Sequence, residues 1–526
     1  MIKITYKLIL LLSLLAMTVT SFAASEAEYG KVSKAWTLHA DGSQEYRSSM
    51  ELTLFTHTAM NSTYGESFIV YNPDFQTLKI HSSYTRQKDG TIVKTPDNAF
   101  VEVLPRFAAD APAYNQLKEM VVVHTGLELG ATIYLDYSII TKPGYYPALD
   151  INERLQETSP VKECKVSISV PEGIPLACGL YGSPVKAVEE SHDGIKEVHW
   201  TLRNIPASSR EAFQPKNREA SPHLVASTYP SGKAALATLD KRLKESQGYE
   251  SKTFAQFLTD KSGNEQEKVN IIRDHILNNL STCPIPMAMT GYTVRDIDTV
   301  LRSAYGTPLE IAQLLNVMLN AAGIPSEVLA VYPGHLDTDA CGLAIQTLAV
   351  KATVDGKDQY LSASPLTNRG GLDKVVSLSG TSIEIETTPI QIKESRSVAI
   401  SADQAKDGFA ICVLPAISAG IDSWGMSALN SKRSNLFELP SLIREEVTYT
   451  VTPAEGMKLQ TSTQEQVISK PFGKVTRTIT PRGNTIEVVR TIELNKQQFT
   501  PAEYSDVRSL IHEWTNPDNR VLLFSL

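Results

Sequence analysis

The stretch DTVLRSAYGTPLEIAQLLNVMLNAAGIPSEVLAVYP, residues 298–333, decides how the middle of this chain folds. From Leu309 to about Ala322 the apolar residues recur at helical spacing. Gly323 and Pro325 then stop the helix, and SEVLAVYP continues as a strand. Pro308 suits the first helical position, where its missing N–H would have had no intrahelical acceptor. Thr307 and Glu310 stand at the spacing of a Thr-x-x-Glu capping box around it.

Upstream, ALATLDKRLKESQ, SKTFAQFLTDKSG and NEQEKVNIIRDHILNNL carry apolar residues three and four apart, as in Val269, Ile272, His275, Ile276 and Leu280, and predict three helices. Downstream, AIQTLAVKATV and DQYLSAS predict two strands joined at Asp355-Gly356-Lys357. Helices followed by an antiparallel sheet make residues 230–394 an α+β domain.

Before residue 230 the period is two. In GATIYLDYSIIT, Ile133, Leu135, Tyr137 and Ile139 share one face, and Asp89-Gly90 marks a tight hairpin turn. The alternation returns in ECKVSISVPEGIPL, with a hairpin turn expected at Pro171 to Ile174, and in KEVHWTLRNIP. Residues 24–229 are therefore expected to form an N-terminal antiparallel β-sandwich. After residue 395 strands return, with a hairpin about Arg482-Gly483-Asn484 and one late helix in PAEYSDVRSLIHEW. Residues 395–526 are expected to be a C-terminal β-sandwich-like domain, so the whole is multi-domain and β-rich. About three domains also match the length, since single cores stop growing well before it.

The first residues have the three-part pattern of a secretory signal: Lys3 and Lys7, an apolar run from Leu8 to Met17, and Ser21-Phe22-Ala23 before a cut after Ala23. The apolar run is shorter than the roughly 20 residues of a spanning helix, and no cysteine lies near the cut to carry a lipid. A periplasmic or secreted protein of a Gram-negative bacterium is expected, with no membrane span after cleavage. The net charge of −8, more negative still without Lys3 and Lys7, argues against a nucleic-acid partner. None of Cys164, Cys178, Cys283, Cys341 and Cys412 belongs to a CxxC pair, and Walker, dinucleotide and HExxH motifs are absent, so neither a metal nor a cofactor is expected. Cys164 and Cys178 flank the expected turn at Pro171 to Ile174 and could pair across it.

The segment around Gly306-Thr307-Pro308, its helix and the Gly323-Ile324-Pro325 turn resemble the core of the transglutaminase-like superfamily. In that family Gly-x-Cys opens a helix packed on a sheet. YNPDFQTLKI, KDGTIV, LELGATIYLDY, Ser159-Pro160-Val161 and PAEYSDVRSL extend the resemblance to bacterial proteins with such a core between two β domains of unknown function. A thiol at a helix start is favoured as thiolate by free N–H groups and the helix dipole, with a strand His as base and an acid to orient it. The resemblance places Pro308 at the cysteine position, Thr347 or its neighbour Leu348 at the His position, and Ser362 at the Asp position. None of these can perform the chemistry. The expectation is a degenerate triad, and a non-catalytic module binding an extended peptide or glycan in the central groove.

Two other readings compete. A working thiol enzyme would have to use Cys341, with His335, Asp337 and Asp339 nearby in PGHLDTDACG, or Cys283. The first segment is expected to be a flexible, solvated loop and the second thiol a half-buried apolar side chain. A structural carrier would bind through its β domains instead. His275 lies in the apolar stripe of its helix and is expected to be a core residue. Trp36, Trp200, Trp424 and Trp514 are expected to pack.

Overall fold

Alternation with period two becomes an eight-stranded sheet in this computed structural model, which describes residues 25–209, 211–215, 221–246, 248–345, 347–361, 373–384 and 389–526. The expected signal segment and Ser362 lie outside the described residues. In order, the sheet contains Val188–His192, Ile195–Ile205, Val161–Pro171, Ala27–Leu38, Gln44–Leu54, Thr132–Thr141, Gln76–Arg86 and Ile92–Lys94. It is antiparallel except where Ala27–Leu38 lies parallel to Val161–Pro171. Gly90, with φ of +92°, makes the turn between the last two strands.

Against one face packs a three-stranded sheet of Ala177–Tyr181, His223–Ser227 and Asp150–Arg154. Ile133, Val166, Ile168 and Trp200 share a core with Leu224 and Ala226 of that smaller sheet, which gives the sandwich. A second three-stranded sheet, Glu66–Tyr71, Lys118–Val123 and Phe100–Val103, packs through Ile69 and Val122 on Leu135.

The hairpin expected at Pro171 to Ile174 does not form. Val161–Pro171 pairs with Ile195–Ile205, whereas Ala177–Tyr181 crosses to the smaller sheet and pairs with His223–Ser227. Cys164 and Cys178 therefore stand on different sheets, and both are free thiols. A turn signal identifies where a chain bends; it does not specify the partner of the strand that follows.

The middle of the chain folds as its two periods require. Helices Gly232–Glu245, Glu250–Thr259, Glu265–Asn279 and Pro308–Ala321 precede an antiparallel sheet ordered Lys357–Leu361, Thr347–Val354, Ser326–Pro333, Asp373–Ser377 and Ser382–Ile383. Asp355 and Gly356 both take positive φ in the turn, as a two-residue hairpin loop demands. Helix Pro308–Ala321 buries Leu309, Ile311, Leu314, Leu315, Met318 and Leu319, packing on the sheet and on the other helices. Burial around most of its circumference makes it the core helix of this unit.

The C-terminal part is a five-stranded sheet, Ile390–Ile400, Ile443–Pro453, Thr485–Leu494, Gly473–Arg482 and Gln466–Lys470, with helix Tyr504–Thr515 packed against it. Gly483 supplies the positive φ of the expected hairpin. A three-stranded sheet of Phe409–Val413, Val521–Ser525 and Lys458–Leu459 shares the core. The segment 211–215 also docks here. Phe213 packs on Phe437, and Glu211 accepts hydrogen bonds from the backbone of Ser434 and Asn435.

One short helix, Ile297–Ser303, was not expected, and it carries a cap for another. The carboxylate of Asp298 accepts from the backbone N–H groups of Tyr249, Glu250 and Ser251 and from the Ser251 hydroxyl, at 2.7 to 3.0 Å. Burial alone would raise its pKa, but these donors prevail and hold it at about 2. Asp298→Ala should therefore cost about 1–2 kcal/mol, the usual worth of a lost cap. The wild-type advantage should be complete above the ordinary carboxylate pKa and vanish as pH falls toward 2. Urea unfolding of both chains between pH 2 and pH 7 measures it.

Candidate functional site

The head of helix Pro308–Ala321 is built as its sequence requires. Thr307, in extended backbone geometry, accepts from the Glu310 N–H at 3.3 Å, while Glu310 Oε2 accepts from the Thr307 N–H at 2.9 Å. Both halves of the capping box are thus present. Pro308 occupies the first helical position with its ring exposed to solvent.

Glu310 does far more than cap. Its side chain is 0% exposed, and Oε1 also accepts from Arg295 Nε at 2.9 Å, the Arg295 N–H at 3.0 Å and the Tyr114 hydroxyl at 2.7 Å. Arg295 Nη2 reaches Oε2 at 3.0 Å and the Tyr305 carbonyl at 2.7 Å. The guanidinium lies over the Tyr305 ring at 4.5 Å and near the Tyr114 ring at 5.4 Å. Burial pushes the Glu310 carboxyl upward, yet hydrogen bonds from Arg295, Thr307 and Tyr114 outweigh it and hold the pKa below the ordinary range. Since Tyr114 belongs to the N-terminal β region, this buried ion pair also joins two parts of the chain.

Thr347 begins its strand, exposed and paired with Val331, while Leu348 is buried opposite Ala330. The helix headed by Pro308 packs on both of these strands.

The rival thiols are all buried or partly so, and burial pushes every one upward: Cys164 and Cys341 to about 12, and Cys178, Cys283 and Cys412 above their usual value. Cys283, 4% exposed, packs with Ala108, Ala111, Tyr114, Leu117 and Ile285. The segment around Cys341 is not the solvated loop expected. Residues Thr338–Cys341 form a helical turn capped by Asp337, Asp339 accepts from the Gly232 N–H at 2.7 Å, and Leu336, Ala340 and Cys341 are buried in the core. Three apolar side chains within six residues bring the segment inward. His335 sits edge-on to Tyr181, and His275 packs edge-on to Phe254. Trp36, Trp200 and Trp514 are buried and Trp424 packs partly buried on the C-terminal core. Among the described residues no group of three or more His, Cys, Asp or Glu could hold a metal ion.

Sequence reasoning missed Arg295 and Tyr114. A signal for Arg295 exists: a glutamate three residues into a helix surrounded by Leu309, Ile311, Ala312, Leu314 and Leu315 must be buried, and a buried carboxylate needs a cation. Tyr114 has no local signal. Arg295→Leu should destabilise the chain by about 3–5 kcal/mol, because it strands a buried charge. Tyr114→Phe, which removes one donor, should cost about 1–2 kcal/mol. Urea denaturation distinguishes them, and an Arg295→Leu chain as stable as wild type would contradict the assigned role.

Two family models match the chain. A domain of unknown function with solved structure, DUF3857, matches residues 40–209, and a second, DUF3858, matches residues 409–524. No curated protein matches. Among solved structures, a putative cysteine protease from Cytophaga hutchinsonii is 15% identical over 46% of this chain and 90% of its own, with a TM-score of 0.21. An M1 zinc metallopeptidase from Deinococcus radiodurans is 11% identical over 38% of this chain at a TM-score of 0.20. Yeast LTA4 hydrolase in complex with bestatin is 9% identical over 41%, also at 0.20. This chain spans 42% of the metallopeptidase and 32% of the hydrolase. Similarity this low carries no argument, and what the family models give is a multi-domain protein with a domain of unknown function matched on either side of the central segment.

Proposed function

We propose that the central segment is a transglutaminase-like core that has lost its catalytic triad and serves as a binding module of the bacterial envelope. Lying between β domains at residues 24–229 and 395–526, it would hold an extended peptide or glycan in its central groove. The observation that carries this reading is the helix head: the place where such a core needs a nucleophile holds an exposed proline ring secured by a capping box. Thr347, at the proposed position of the base, has no imidazole to offer. A retained fold without its nucleophile still presents a groove and strand edges to a ligand.

The thiol-enzyme reading is weakened by the burial of Cys283 and Cys341, which disfavours the thiolate that reacts. The carrier reading has no specific observation in its favour.

Peptide hydrolysis and amine-transfer assays on the mature chain should show no turnover that iodoacetamide abolishes. Thiol-sensitive turnover lost in Cys283→Ala or Cys341→Ala would overturn the reading. The helix head can be tested separately. A thiol introduced by Pro308→Cys would be exposed in the first turn of the helix, at the positive end of its dipole, so alkylation there should exceed that of each native thiol at least tenfold, with no gain in turnover. Mass-spectrometric mapping of timed labelling provides the comparison.

A further inference from the structure

The inner layer of the N-terminal sandwich is interrupted. Val32, Met50 and Leu135 stand opposite one another on adjacent strands of the eight-stranded sheet, and the face they share carries both three-stranded sheets. Each small sheet ends in a strand with one unpaired side, Asp150–Arg154 in the first and Glu66–Tyr71 in the second. Between them runs a cleft. Two cavities of about 540 and 360 Å³ lie along it and have Tyr46, Phe68, Ile69 and Tyr137 in common.

The gap is one strand wide. Glu153 of the first edge strand is tied to Lys34 of Ala27–Leu38 at 2.5 Å, and Ile69 of the second packs on Leu135 of Thr132–Thr141. Gln44–Leu54 lies between those two strands of the large sheet and is left uncovered. Its inward residues Tyr46, Ser48 and Met50 are only half-buried, and with Trp36, Tyr137 and Lys34 they floor the cleft. Since neighbouring strands lie about 4.8 Å apart, the space above one uncovered strand accommodates one more.

Both edges present backbone groups to this space. The Gly65 carbonyl accepts from the His124 N–H, so Ser67 and Ile69 bond to Lys118–Val123 and the N–H and C=O of Phe68 and Val70 point to the open side. Leu155 donates to the Pro222 carbonyl and Leu149 accepts from the Thr228 N–H. Ile151 and Glu153 therefore bond to His223–Ser227, and the backbone of Asp150 and Asn152 points outward. Among the described residues no backbone hydrogen bond crosses from one edge to the other. Phe68, on the rim of both cavities, is 58% exposed. Lys34 meets two acids, Glu153 at 2.5 Å and Glu157 at 3.2 Å, and Glu66 stands at the same end, which gives that end a negative excess.

We infer that this cleft receives an extended peptide as an added strand, with alternate apolar side chains on Trp36, Tyr46 and Tyr137 and a basic side chain toward Glu66 and Glu157. The main chain of the peptide pairs with both edges and joins the two small sheets into one layer. A glycan would meet the rings but leave both rows of backbone groups without the regular partners a strand supplies. Met289, Tyr292 and Leu343 of the central unit line one end, whereas Pro308 and Thr347 line neither cavity. The site thus belongs to both units, and it stands whether or not the central unit has lost its catalysis.

Calorimetric titration of the full chain with the acetylated, amidated peptide Lys-Thr-Val-Thr-Val-Thr-Val tests it. The same peptide N-methylated at every valine, which blocks one of its edges, and chitohexaose are the controls. Saturable binding of the unmodified peptide is expected, at least about tenfold tighter than either control. Phe68→Pro deletes an edge N–H without touching the pairing to Lys118–Val123, and should weaken binding about tenfold or more. Phe68→Ala keeps that N–H and should bind at least about threefold tighter than Phe68→Pro. Ser48→Trp fills the floor and should weaken binding as much; it carries the test if thermal unfolding shows the proline variant unfolded. No saturable peptide binding to the folded wild-type chain, equal binding of the N-methylated peptide, tighter binding of chitohexaose, or wild-type affinity in folded Phe68→Pro or Ser48→Trp would overturn the inference.

Discussion

A carboxylate withdrawn from water is the constraint around which the middle of this molecule is arranged. Glu310 is needed at the third helical position to complete the capping box, and the helix it heads is the one most deeply buried in the central unit. The charge therefore enters the interior together with the helix. An unpaired charge there would be prohibitive, and the fold answers with a guanidinium, a phenol and two backbone N–H groups. Arg295 in turn is held by Ser303, by the Tyr305 carbonyl and by two aromatic faces. The N-terminal β region, through Tyr114, is part of the same arrangement, so the positions of the units relative to each other are tied to one helix start.

What the sequence discloses about this architecture is what depends on neighbours in the chain. The period of two, the change to helical spacing after residue 230, the turns at Asp89-Gly90 and Asp355-Gly356, and the Thr307 to Glu310 cap are local, and each is present. The partner of a strand is not local. Val161–Pro171 joins Ala27–Leu38, and nothing in either stretch names the other. The same distance hides Tyr114 from Glu310, and the short helix Ile297–Ser303 offers too few residues for a periodic signal. The segment around Cys341 misled for another reason: its Gly, His and Asp residues suggest solvent, but Leu336, Ala340 and Cys341 decide its place.

The helix head and the cavity at the large sheet differ in kind. At the helix head, polar groups are satisfied by one another and what faces solvent is a hydrocarbon ring. The cavity between the large sheet and the central unit is lined instead by aromatic rings, among them Trp36, Tyr46 and Tyr137.

The parallel pairing of the first described strand has a kinetic consequence. Ala27–Leu38 lies between Gln44–Leu54, its immediate successor, and Val161–Pro171, more than a hundred residues later. A chain emerging amino end first can close the initial hairpin at once. It cannot complete the sheet until the distant strand and its own neighbour, Ile195–Ile205, have also appeared. Such long sequence separation makes assembly slow and leaves an unpaired edge waiting, the circumstance in which a nascent polypeptide most depends on a chaperone.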